Sequence, residues 1–220
     1  MVCGEKAICH YEEERANLVS RSVSRAMMKR IVLCTRNRGK VEELREMFPA
    51  DLEALTLDEV GVYVDLPETG STLEENALQK AEFVHELTGL ACVADDSGLE
   101  VYALNGAPGV DSAHYAGAQR NTRDNILKLL HELGSTADRR ARFRTVIAWV
   151  DGGTRRLFQG TVEGNITHMP SGMCGFGYDP IFVPAGEERT FAEMSTQEKN
   201  GISHRSIAMG TFRNFLERRE

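Results

Sequence analysis

From Arg30 onward the apolar positions switch repeatedly between two periods. Ile31 to Thr35 forms an unbroken run that predicts a buried strand. The loop Arg36-Asn37-Arg38-Gly39 follows, and Lys40 to Phe48 then spaces Val41, Leu44, Met47 and Phe48 as on a helix. Leu52 to Leu57 predicts a second strand. Leu73 to Leu87 predicts a helix with Leu73, Ala77, Ala81 and Val84 on one face. Ala91–Ala94 and Leu99–Leu104 predict strands on either side of a turn, Asp95-Asp96-Ser97-Gly98. Thr122 to Leu133 is amphipathic, with Thr122 as the expected N-cap. Arg142–Val150, the turn Asp151-Gly152-Gly153 and Thr154–Thr161 predict a hairpin. A closing helix from Ser203 to Arg218 is expected to turn Ile207, Phe212 and Phe215 inward. The order of elements predicts an α/β fold, an elongated mixed twisted sheet with flanking helices.

Composition narrows the class. With 220 residues, 41% hydrophobic and 27% charged, the chain has the balance of a folded globular protein. No apolar run approaches the roughly 18 residues of a membrane-spanning helix. The net charge of −7 argues against a nucleic-acid coat, yet leaves room for a small phosphorylated substrate held by local cations. Five cysteines without CxxC spacing point to reduced thiols in a cytosolic protein rather than to a zinc site. Residues 1–27 carry Glu12-Glu13-Glu14 and a Ser/Arg-rich piece without an apolar signal core. They are expected to be an extension, mobile or left by an upstream start, ahead of one domain at 28–220. His85-Glu86 and His131-Glu132 lack the second histidine of a zinc-protease helix.

Four segments carry candidate chemistry. Thr35-Arg36-Asn37-Arg38-Gly39-Lys40 closes a strand and opens a helix, where backbone N–H groups attract phosphate and Lys40 adds a point charge. The Walker spacing is missing, and an ordinary basic turn is the plain alternative. Asp95-Asp96-Ser97-Gly98 would emerge at a strand's C-terminal edge, where open α/β sheets bind ligands. Adjacent aspartates there repel and call for a cation, and Mg²⁺ suits carboxylate and phosphate oxygens together. The plain alternative is a turn capped by Ser97. Glu68, Glu74 and Glu75 complete the acidic set, while Glu74, Asn76 and Lys80 do not share one helix face. Gly175-Phe176-Gly177-Tyr178-Asp179-Pro180 can present a ring for stacking and a carboxylate for a base edge, or pack its aromatics inward. Lys199 to Arg205 opens the last helix with Ser203 as N-cap. Cations at His204 and Arg205 oppose the helix dipole and would suit a bound anion or a carbonyl-rich ligand.

Together these segments resemble the inosine/xanthosine triphosphate pyrophosphatase family. The matching pieces are Thr35-x-Asn37-x-x-Lys40, Glu68-Thr69-Gly70, Glu75-Asn76-Ala77 with Lys80, Asp95-Asp96-Ser97-Gly98-Leu99, Ala107-Pro108-Gly109-Val110, Gly175 to Phe182, and Ser203-His204-Arg205. Each is weak alone, but their order and spacing are jointly specific from about Lys29 to the C-terminus.

The resemblance implies Mg²⁺-dependent hydrolysis of deaminated purine nucleoside triphosphates (ITP, dITP, XTP) to the monophosphate and pyrophosphate. It implies two lobes around a central nucleotide cleft, a cytoplasmic homodimer, and no nucleic-acid or membrane partner. Residue by residue, Thr35, Arg36, Asn37, Arg38, Gly39 and Lys40 would hold the triphosphate. Glu68 and Asp96 would bind Mg²⁺, with Asp96 also the general base, and Ser97 would contact the substrate. Phe176, Gly177, Tyr178 and Asp179 would take the purine, with Lys199, His204 and Arg205 completing the pocket. Where the family often has Ser-Ala-Arg-Tyr after an aromatic, this chain has Asp111-Ser112-Ala113-His114-Tyr115, which makes that loop less positive. Two rival readings share the machinery: a related pyrophosphatase with another base preference, and a catalytically silent nucleotide binder.

Overall fold

The computed structural model describes residues 29–49 and 52–218. The expected extension at residues 1–27 lies outside the described residues, as does the side chain of Met47. In chain order the elements are β1 (Lys29–Leu33), α1 (Arg38–Met47), β2 (Leu52–Thr56), α2 (Leu73–Thr88), β3 (Ala91–Val101) and α3 (Thr122–Leu133). They continue with β4 (Arg140–Asp151), β5 (Thr154–Ile166), β6 (Phe182–Pro184), α4 (Thr196–Ile202) and α5 (His204–Glu217). The six strands form one mixed sheet in the order β2-β1-β3-β4-β5-β6. β1 runs parallel to both β2 and β3, and the remaining pairs are antiparallel.

The pleat sorts the core. Successive strand side chains point to opposite faces. Val32, Cys92, Ala94, Val146 and Ala148 therefore pack with Ala77, Ala81 and Val84 of α2 on one face. Their neighbours Ile31, Leu33, Val93, Ile147 and Trp149 pack with Leu44 of α1 and Met209 and Phe212 of α5 on the other. A third cluster lies further along the long strands, where Leu99, Val101 and Phe143 meet α3 and the aromatic pair Phe182 and Phe191. Helix α5 approaches β5 so closely that a Cβ at Gly160 would collide with the His204 carbonyl and the Ala208 amide. The glycine thus seats the first turn of α5 against the sheet.

Several expectations are corrected. Asp95 to Gly98 is not a turn: β3 runs unbroken from Ala91 to Val101, paired with β4 from Cys92 to Val101. A complete partner ladder overrides the turn preference of Asp-Asp-Ser-Gly, because strand propensity depends on tertiary context. The strand ends at Val101, and Tyr102–Leu104 forms one 3₁₀ turn. Asn121, not Thr122, caps α3, its side chain accepting from the amides of Arg123 and Asp124. Ile207 is 45% exposed, whereas Phe212 is fully buried. Cys34 and Cys92 are buried free thiols, as expected, while Cys174 is exposed.

Candidate active site

β1 covers β3 only from Ala91 to Val93, and β3 then continues alone on that edge as far as Leu99. A cleft of about 720 Å³ opens there, at the C-terminal end of β1 but beside the middle of β3. Its wall includes Thr35, Lys40, Glu68, Asp96, Phe176 and His204.

The pleat gives the two adjacent aspartates different tasks. Asp95 points to the face of α1 and α5, where Lys40 Nζ lies 3.1 Å and Arg205 Nε 3.2 Å from Oδ2. Its side chain is fully buried and does not line the cleft. Asp96 points to the α2 face, where its Oδ1 lies 3.1 Å from Lys80 Nζ. Its Oδ2 accepts no hydrogen bond among the described residues, and the residue lines the cleft. The repulsion expected between neighbouring carboxylates is therefore relieved by the chain's own cations, one face at a time.

Burial alone would raise the Asp95 carboxyl, but Lys40, Arg205 and Lys80 outweigh it and hold the group well below the usual carboxylate range. A depressed folded pKa stabilises the fold fully above the unfolded value of about 3.9, and that stabilisation is lost as pH falls from there through the lower folded pKa. The Asp95 side-chain carbon is accordingly expected to show no titration in NMR between about pH 3 and pH 7. A midpoint near 4 would remove the ion pairs from the account.

A buried network fixes the aromatic loop. Asp179 accepts the Phe176 amide at 2.7 Å and faces Lys199 Nζ at 2.8 Å. Gly175 supplies the left-handed corner, φ +75°, and a Cβ there would strike the Asp179 carboxylate. Lys199 also donates to Glu43 Oε1 at 2.8 Å, and Glu43 Oε2 accepts from Arg205 Nη1. Arg205 Nη2 reaches Ser97, whose hydroxyl also pairs with Thr145 at 2.7 Å. The Phe176 ring lies under two of these cations, 4.6 Å from Lys199 Nζ and 5.5 Å from Arg205 Cζ. Tyr178 is buried and donates to the Ser112 carbonyl.

His204 is nearly buried and stacked on Phe143 at 4.7 Å, and its Nδ1 has no hydrogen-bond partner among the described residues. Burial, together with Arg205 and Lys199, drives its pKa well below the ordinary value. Its environment therefore favours the uncharged imidazole, which leaves Arg205 as the cation placed against the dipole of α5. Ser203 caps the helix as anticipated, accepting from the Ser206 amide.

The loop before α1 divides its residues. Asn37 caps α1 by accepting the Lys40 amide, and Thr35 accepts the Asn37 amide. Arg36 braces the segment after β2 through Asp58 and the carbonyls of Val62 and Val64. Arg38 and Gly39 do not line the cleft, although both were expected to meet phosphate. Gly39 instead lies against the Phe176 ring, where a Cβ would come within 2.6 Å of Cδ1.

On the opposite wall Lys80 joins two carboxylates, donating to Glu68 at 2.8 Å as well as to Asp96. Glu68 also accepts from Arg120 at 2.9 Å. Burial raises the Glu68 carboxyl, but these two cations prevail and lower it. His114 pairs with Asp111 at 3.2 Å in the nearby loop. Glu43 and Arg120 carried no signal in the sequence: Glu43 is one of two adjacent glutamates on a helix, and Arg120 sits in a polar loop. Asn76, whose Oδ1 accepts the Gly70 amide at 2.8 Å, stood inside the matched Glu75-Asn76-Ala77 motif without an assigned role.

An unpaired carboxylate oxygen, flanking ammonium groups and a ring under cations suit a polyanion with an aromatic head group. Comparison with known proteins agrees with this arrangement. The chain is 48% identical over 190 residues to a dITP/XTP pyrophosphatase of Porphyromonas gingivalis, covering 86% of this chain and 98% of that one. The solved Ham1 protein of Staphylococcus aureus is 43% identical with a TM-score of 0.80, covering 87% of this chain and all of that one. A HAM1 protein of Coxiella burnetii superposes equally well at 41% identity, with the same coverage. The model of the Ham1 family matches residues 31–215, so that the cleft and nearly every described element fall within it, and the chain belongs to the Ham1 family.

Proposed function

We propose that the chain hydrolyses deaminated purine nucleoside triphosphates to the monophosphate and pyrophosphate. The observation that carries this reading is Asp96, with one oxygen on Lys80 and the other unpaired at a cleft between an aromatic loop and several cations. The names of the relatives point to the same substrates.

The donor set fits Mg²⁺. Lys80 already places one cation between Glu68 and Asp96. Among the described residues no group of three or more His, Cys, Asp or Glu side chains could hold a metal. Two carboxylates completed by phosphate oxygens and water are a usual Mg²⁺ arrangement. When bound, the ion neutralises phosphate charge and stabilises the pyrophosphate leaving group.

Asp96 takes a proton from water as the oxygen attacks the α-phosphorus. The bond from that phosphorus to the bridging oxygen breaks, and pyrophosphate leaves with the electron pair. Lys40 and Lys80 offset the charge of the polyphosphate. Phe176 stacks on the purine, and donors from His204 and Arg205 meet the 6-oxo group. Adenine, with a 6-amino donor, leaves those donors unmatched at roughly 1–3 kcal/mol each. The resemblance adds that the enzyme acts as a cytoplasmic homodimer; no helix among the described residues is long and apolar enough to cross a membrane.

The test is pyrophosphate release with Mg²⁺ from inosine triphosphate and from the four common deoxynucleoside triphosphates. Release from inosine triphosphate is expected to exceed that from dATP about 100-fold. Equal release from all would sink the assignment of the base edge to His204 and Arg205. Binding without release would identify a silent binder.

A further inference from the structure

The cations at the cleft differ in how firmly they are held. Lys80 and Lys199 each touch two carboxylates, Arg205 touches two and a hydroxyl, and Arg36 holds a carboxylate and two carbonyls. Lys40 has the fully buried Asp95. Arg120 is different: its side chain is 58% exposed and has one partner among the described residues, Glu68 Oε2. That partner is a carboxylate which the proposed function gives to Mg²⁺. An exposed ion pair of this kind contributes little, so a divalent ion at Glu68 displaces the guanidinium easily.

The backbone holds Arg120 where it is released to some purpose. Its φ is +54°, a region that side chains other than Asn and Asp seldom occupy. Its amide donates to the Gly117 carbonyl, and the next residue, Asn121, caps α3. Asn125 of α3 fixes the preceding loop through the Ala116 amide and the Ala113 carbonyl. The displaced guanidinium therefore stays at the rim of the cleft. His114, on the same loop, is engaged with Asp111, which leaves Arg120 to meet a polyanion.

We propose that Arg120 is a polyphosphate-binding residue that rests on Glu68 in the nucleotide-free protein and transfers to the phosphate tail when metal and nucleotide enter. The guanidinium fork suits phosphate oxygens, and the exchange conserves charge, since the ion takes the carboxylate that the arginine leaves. The inference rests on the pyrophosphatase reading, and it predicts shifts of opposite sign for the two ligands.

The experiment compares the wild type with Arg120→Gln and Arg120→Lys. Mg²⁺ alone is titrated into nucleotide-free protein by calorimetry, and KM and kcat are measured for inosine triphosphate. Arg120→Gln is expected to bind Mg²⁺ about two- to fivefold more tightly, since a competitor for Glu68 is gone. Its KM is expected to rise roughly tenfold, the scale of a lost charged hydrogen bond, with kcat within about twofold. Arg120→Lys recovers part of the KM. Weaker or unchanged Mg²⁺ binding, an unchanged KM, or a melting temperature lowered in both variants would overturn the proposal. A wild type that releases no pyrophosphate would defeat the reading of function instead, which separates the two failures.

Discussion

Asp96→Asn is expected to lower pyrophosphate release by about 10³-fold, within the range that a general base contributes. The substitution is nearly isosteric and removes the oxygen that lacks a hydrogen-bond partner among the described residues. Lys80 keeps Glu68 and the Asp95 carbonyl as partners, so the helix and strand stay in place. The loss should therefore fall on kcat, with a melting temperature close to that of the wild type. Single-turnover release by the purified variant measures it. Activity within tenfold of the wild type would assign the base elsewhere.

Glu43→Gln is expected to be the most destabilising single change in the network behind the cleft wall. Glu43 is 5% exposed and carries one cation on each oxygen, Lys199 and Arg205. Removing its charge leaves both buried cations undercompensated, a loss on the order of 3–5 kcal/mol. The damage spreads because Lys199 and Arg205 also hold Asp179, Asp95 and Ser97, and so join α1 to the aromatic loop and to β3. Urea unfolding measures the loss. A midpoint within error of the wild type would show that Asp179 and Asp95 suffice for these cations. In a variant that still folds, discrimination between inosine and adenine triphosphates should narrow, since Arg205 is no longer held from below.

The motifs that resembled a family were legible because they place particular residue types in a set order along the chain, and local order survives folding. Thr35 to Lys40, Asp96, the Phe176 loop and His204-Arg205 stood out in this way, and folding brings all of them except Arg38 and Gly39 to one cleft. The ends of α2 and α5 were also near their predicted places, because one apolar stripe meeting the sheet imposes a 3.6-residue period. Glu43 was hidden for the converse reason. Its two cations come from helices over 150 residues away, so nothing nearby in sequence distinguishes it from Glu42.

What the sequence by itself determined is the alternation of elements, the chemistry available, and the family that carries it. These depend on contacts a few residues apart or on motif order. The tertiary structure decided what each group does. Asp-Asp-Ser-Gly has the local preferences of a turn, yet β4 supplies an unbroken ladder and makes it strand. Once it is strand, the two-residue period sends Asp95 into the core and Asp96 to the cleft. One backbone ladder thus separates a buried, ion-paired carboxylate from one that faces the cleft, and that distinction exists only when the strands have paired.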